Sequence, residues 1–142
     1  MNRQRLISSL IEHEGIRNLV YEDSVGILTI GIGHNVEEVP LSNRAIEVIC
    51  QDDIATAEGE LDKNWNHWKA NLNDARQNVL VEMVFNLGYP RFSKFVKFIE
   101  AVKAQNWPEA EVQMLDSRWA EQVGRRAINL ANQMKSGQYY EI

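Results

Sequence analysis

Between Arg17 and His34 the helical spacing of apolar residues gives way to a β-branched run punctuated by Gly26, Gly31 and Gly33. A segment of this kind cannot be one turn of a long helix. In an extended chain, successive side chains from Ile27 to Ile32 alternate faces. Leu28, Ile30 and Ile32 then share one face, and Ile27, Thr29 and Gly31 share the other. Glu22-Asp23-Ser24 ahead of the run is a polar turn. The segment is read as a small hairpin or three-stranded sheet, with helical patterns on both sides of it.

Before it, Leu6, Ile7, Leu10 and Ile11 recur at helical spacing and form one apolar stripe over residues 3–13, with Gly15 as the stop. After it, Ser42 is the N-cap of a helix through about residue 62, with a break at Asp52-Asp53 left open. Residues 64–73 form a polar, tryptophan-bearing connection. Val79, Leu80, Met83, Val84 and Leu87 cover more than one face of a helix over 74–87, which places it centrally. Gly88-Tyr89-Pro90 ends it. A helix over about 94–104 turns Phe95, Phe98, Ile99 and Val102 inward. Asn106-Trp107-Pro108-Glu109 starts another. A short helix begins at Ser117. A last one runs from about Gly124 to Ser136, with Ala127, Leu130, Ala131 and Met134 inward and Gly137 as its cap.

This layout is α+β: a small antiparallel sheet lobe at about 15–40, a connecting helix at about 42–62, and a larger helical lobe from residues 1–14 and 64–142. All belong to one domain, and a cleft between two lobes is a natural ligand site. The chain has 142 residues, 44% apolar and 25% charged, which suits a globular protein and excludes a mainly disordered or collagenous one. The first fifteen residues hold no long apolar run, so neither a secretion signal nor stable membrane insertion is expected.

Cys50 is the only cysteine, which excludes an intramolecular disulfide and a cysteine-based zinc site. It is read as a small hydrophobe facing its helix. His13, His34 and His67 lack the close pairing of a helical metal site, so no metal and no other cofactor are expected. The formal net charge is −5, unevenly spread: residues 1–63 carry −7 and residues 64–142 carry +2. An acidic chain without a basic stripe is a poor ligand for phosphate backbones, so no nucleic-acid partner is expected.

Two acids stand out by place. Glu14 ends the first helix, and Asp23 sits in the turn that enters the glycine-rich strand. Two carboxyl groups across a cleft can serve glycoside hydrolysis. One protonates the leaving oxygen, and the other supports attack or the developing positive charge. Thr29 lies on the strand face away from Leu28, Ile30 and Ile32, where its hydroxyl can orient a water. With 20 acids in the chain, spacing alone does not single out this pair.

The whole stretch Glu14–His34, EGIRNLVYEDSVGILTIGIGH, closely resembles the N-terminal active-site segment of the phage T4-type lysozymes, glycoside hydrolase family 24. The family pattern is a Glu, eight residues, an Asp, five residues, then the Thr that opens TIGIGH. MVFNLG at 83–88 resembles the family's central-helix block. SRW at 117–119, with Arg126-Ala127 downstream, resembles its C-terminal region. The resemblance implies a lysozyme-like fold and a muramidase cutting the β-1,4 bond between N-acetylmuramic acid and N-acetylglucosamine in bacterial peptidoglycan. It implies Glu14 as general acid, and Asp23 with Thr29 positioning or activating the water, with inversion at the sugar carbon.

Arg126 is the family position that pairs with the catalytic Glu. A cation there favours the ionised carboxylate, so burial and substrate must restore the proton an acid needs. His34 is read as a structural hydrogen-bonding group between lobes rather than a base. Gly31 and Gly33 either let sugar approach the backbone or relieve crowding. Asn35, Phe85, Asn86 and Gln113 fall at or beside family positions that line the saccharide groove; Phe85 reads equally well as core. Trp119 is read as a core aromatic.

The chain departs from the family in two ways. The stretch from Asn35 to Ser42 is short, which predicts a smaller upper lobe. Its acidity predicts weak or adverse steering toward an anionic wall and activity that rises as salt screens repulsion. The leading expectation is a monomeric endolysin, made in the host cytoplasm and dependent on a holin to reach the wall. The alternatives are a lytic transglycosylase, a catalytically inactive wall-binding module, and a helical regulatory or nucleic-acid-binding protein.

Overall fold

Five helices begin where a short polar side chain can take up a free backbone N–H. Asn2, Ser42, Asn73, Asn106 and Ser117 each accept from the residue three positions on, at 2.9, 3.1, 3.0, 3.3 and 3.1 Å. The computed structural model describes residues 1–142. In chain order they form α1 (Arg3–Glu14), β1 (Arg17–Glu22), β2 (Leu28–Gly31), β3 (His34–Asn35), α2 (Asn43–Asn64), α3 (Asp74–Leu87), α4 (Tyr89–Phe92), α5 (Val96–Lys103), α6 (Trp107–Leu115), α7 (Arg118–Val123) and α8 (Arg125–Ser136). This is the α+β arrangement expected, and no helix is long and apolar enough to cross a membrane.

The chain divides into two compact units, Met1–Val48 and Ile49–Ile142, with the boundary inside α2. In the first, the strands form an antiparallel sheet of order β1-β2-β3. Tyr21 pairs with Thr29 and Glu22 with Leu28, and the ladder is irregular between Arg17 and Tyr21. Thr29 pairs with Asn35, and Ile30 with His34. Thr29 is the one buried residue of this unit. Gly31, at φ 68°, ends β2 before Ile32, so the expected alternation stops there, and Leu28 and Ile32 both reach the surface. The α1 stripe is also uncovered: Leu6, Ile7 and Leu10 are 45%, 37% and 41% exposed.

The second unit holds every buried apolar residue. Its centre is α3, whose Val79, Leu80 and Met83 have no accessible surface. Around it pack Phe92, Phe98, Met114, Trp119, Leu130 and Met134. Phe95 and Phe98 meet edge to face at 6.4 Å, as do Phe95 and Trp119 at 6.3 Å, the geometry that the ring quadrupole favours.

Polar groups tie α3 to the end of α8. The Arg76 guanidinium stacks on Trp107 at 3.9 Å and donates to the Met134 and Lys135 carbonyls at 2.7 and 2.8 Å. These are carbonyls that the last turn of a helix leaves free. Burial lowers the pKa of this guanidinium from its ordinary value. Gly137 closes α8 at φ 71°, and a Cβ there would meet Arg76 at 2.9 Å. Buried Gln133 donates to the Ala75 carbonyl at 2.7 Å.

Two local readings are refined and one is corrected. α2 runs unbroken through Asp52-Asp53, because both carboxylates face water and ask nothing of the backbone. Gly88-Tyr89-Pro90 ends α3 but also starts the single turn α4, where Pro90 occupies a first-turn position that needs no N–H. Cys50 is exposed rather than packed. The charge asymmetry also dissolves at the structural boundary. The acidic stretch Asp52–Asp62 lies beyond Val48, so the units carry −3 and −2.

Candidate active site

Asp23 is fixed by the turn that it makes. Its Oδ1 accepts the Val25 and Ile27 N–H groups, each at 2.9 Å. Its own N–H donates to the Ile27 carbonyl at 2.9 Å, and its carbonyl accepts from Gly26 N–H at 3.1 Å. An Asp that opens a turn with Gly three positions later is the sequence form of this structure. Oδ2 accepts no protein hydrogen bond and remains available.

Thr29 stands on the adjoining strand, 4% exposed. Its hydroxyl donates to the Ile27 carbonyl at 2.9 Å. A hydroxyl has one proton and two lone pairs, so Oγ1 presents an acceptor to anything else that approaches.

Glu14 closes α1, whose cap Gly15 donates its N–H to the Ile11 carbonyl at 2.8 Å. The Glu14 side chain lies against the backbone of Gly33. A Cβ on Gly33 would stand 3.0 Å from the Glu14 carboxyl carbon and from Oε2. Gly33 also has φ 66°, where a side chain is strained. It therefore gives this carboxyl its seat. Asn35, paired with Thr29 across the ladder, spends its amide on the next turn. Its Oδ1 accepts from Glu38 N–H at 2.9 Å, and its Nδ2 donates to the Glu38 carboxylate at 3.3 Å. His34 departs from expectation at Nε2, which is buried with no hydrogen-bond partner.

The first unit thus brings together Glu14 with Gly33, and Asp23 with Thr29 and Asn35. The remaining expected residues lie in the second unit. Arg126, which the resemblance assigns to the catalytic Glu, is held there by Glu82, Nη2 to Oε1 3.2 Å. Both line a hollow of about 410 Å³ with Phe85, which is 44% exposed and so is not core. Asn86 is engaged from below: its Oδ1 accepts from the buried Trp119 indole N–H at 2.8 Å. Trp119 is core, as expected.

Gln113 lies apart, lining a hollow with Lys94, Phe95, Lys97, Asp116 and Ser117, and it donates to Glu109 at 2.7 Å. The structure does not place it in the hollow beside Phe85. Glu82 was not anticipated, although its position three residues before Phe85 puts both on one side of α3. The backbone of Ile27 was also missed, because a sequence read for side chains does not display it.

Residues 11–136 match the family model described as phage lysozyme. Two Dictyostelium discoideum proteins, probable T4-type lysozymes 2 and 1, are 25% and 23% identical to the chain. In each comparison 87% of this chain and 89% of the relative are covered. The pre-baseplate central spike protein Gp5 of Enterobacteria phage T4 is 28% identical over 80% of this chain and 24% of its own length. With that match over most of its length, the chain belongs to the phage lysozyme family and is a lysozyme-type glycoside hydrolase of peptidoglycan.

Proposed function

We propose that the chain hydrolyses the β-1,4 bond between N-acetylmuramic acid and N-acetylglucosamine, with Glu14 as general acid and Asp23 and Thr29 holding the water. The observation that carries this reading is the pair of acceptors left over in the first unit. Asp23 is anchored through Oδ1 and offers Oδ2; Thr29 has given its proton to Ile27 and offers lone pairs. A water that donates its two protons to two acceptors turns a lone pair toward the sugar carbon.

The step is a direct displacement. The water oxygen bonds to the anomeric carbon as that carbon's bond to the leaving oxygen breaks. Glu14 gives its proton to the leaving oxygen, and Asp23 receives one from the water. The sugar carbon inverts, and one water is added to the products.

In this reading Arg126 keeps the supporting role that the resemblance implies, with Glu82 as the partner that holds its guanidinium. His34 supports the site structurally. Gly33 and Asn35 in the first unit and Phe85 and Asn86 on α3 meet substrate; Gln113, which lines a separate hollow, does not. The biological setting is host-cell lysis by a monomeric endolysin that reaches the wall after a holin opens the membrane. Expression in a cytoplasm should leave cells intact until the inner membrane is perforated; lysis by the protein alone would remove the holin from this account.

The decisive experiment is clearing of purified peptidoglycan by the wild type and by Glu14→Gln. The amide keeps the shape and has no acidic proton to give. Clearing by wild type alone, with products one water heavier than the bond cut, supports the proposal. Equal clearing by both refutes the role of Glu14, and anhydro-sugar products would make the enzyme a lytic transglycosylase.

A further inference from the structure

We infer that the backbone of Ile27 is a positioning element that sets Asp23 and Thr29 jointly. This rests on the reading of Asp23 and Thr29 as the groups that hold the water. Three hydrogen bonds, each 2.9 Å, converge on this one residue. Its N–H donates to Asp23 Oδ1, and its carbonyl accepts both the Asp23 N–H and the Thr29 hydroxyl.

The consequence is chemical. The N–H fixes which Asp23 oxygen is free, and the carbonyl fixes which way the Thr29 proton points. A shift of the Ile27 backbone therefore moves both acceptors offered to the water. Val25 also donates to Asp23 Oδ1, but no bond joins Val25 to Thr29. Ile27 alone bonds to both. No side chain performs this task; the three hydrogen bonds are made by backbone atoms of Ile27.

The test replaces Ile27 in the full chain by its α-hydroxy-acid analogue, which exchanges the N–H for an ester oxygen and keeps the side chain. The expected result is a fall in kcat of about tenfold or more with KM within about twofold, as for loss of a hydrogen bond to a charged group at a reacting centre. The same ester exchange at Ser24, whose N–H bonds neither group, should keep wild-type kcat.

NMR three-bond couplings supply a readout independent of activity. Asp23 and Thr29 should each hold one χ1 rotamer in the wild type. The Ile27 ester removes the N–H and should free Asp23, while the same exchange at Leu28 weakens the Ile27 carbonyl as an acceptor and should free Thr29. Wild-type kcat in the Ile27 ester, a kcat loss shared by the Ser24 control, or an unchanged rotamer of either group in its own ester would overturn the inference. Full activity in Asp23→Asn and Thr29→Val would instead strike the reading of those two groups. The coupled rotamers would then still report whether Ile27 links them.

Discussion

The two units of this chain are stabilised by different means. Ile49–Ile142 is an interior: α3 runs through closely packed apolar side chains, and its polar groups serve helix ends. Met1–Val48 has almost no interior. Its single buried residue is a threonine, and its order comes from caps, a turn and a short ladder. The proposed acid and water-holding groups all lie in this thinner unit. A site built from backbone hydrogen bonds is fixed by geometry at a few atoms. A packed unit is fixed by volume shared among many. Loss of function and loss of stability should therefore separate along the chain.

Glu14→Gln should separate them furthest. Activity on peptidoglycan should fall by about 10²- to 10⁴-fold, the range for a general acid, while Tm stays within a degree or two of wild type. The side chain is exposed and keeps its shape, so little packing is at stake. A large drop in Tm would mean that the first unit depends on this carboxyl as a core would, and the contrast between the units would fail.

Leu80→Ala is the complementary change. Leu80 has no accessible surface at the middle of α3, and its truncation should cost about 2–5 kcal/mol by denaturant titration. Molecules that remain folded should keep wild-type kcat. A kcat loss in the fully folded fraction would show that the packed unit also sets the chemistry.

Gly33→Ala tests the seam between backbone and function. The methyl group would press on the Glu14 carboxyl from 3.0 Å at a φ of 66°. The strain should cost roughly 1–2 kcal/mol of stability. Displacement of the acid should lower kcat by about tenfold or more, since misplacement of reacting groups on the ångström scale is costly. Activity falling only in proportion to the folded fraction would reduce Gly33 to a turn residue.

These contrasts also explain what a reader of the sequence can see. Caps, apolar periodicity and the alternation at Ile27–Ile32 are local, so α1, the sheet and the central place of α3 were legible. So was the spacing of Glu14, Asp23 and Thr29. What escaped depends on context. Asp52-Asp53 looks like a break but lies on a solvated face of α2. An apolar stripe such as Leu6, Ile7 and Leu10 does not say what covers it. Cys50 has the composition of a core residue and the position of a surface one. The Ile27 backbone has no letter of its own, yet it carries three of the hydrogen bonds that shape the site.

Salt is the finest probe of the comparison. Read along the chain, residues 1–63 carry −7, which would place strong repulsion beside the proposed acids. Divided as the chain folds, the units carry −3 and −2, and much of that negative charge belongs to α2 beyond Val48. Repulsion from an anionic wall is then diffuse, and at moderate ionic strength the screening length is about 10 Å. Initial clearing rates measured from low to moderate salt should therefore rise by no more than about twofold, through the encounter step alone. A much larger rise would mean that repulsion from the net charge of −5 governs the encounter. A steep monotonic fall would mean that attraction governs the encounter, with cations such as Arg126 and Lys69 outweighing the net charge.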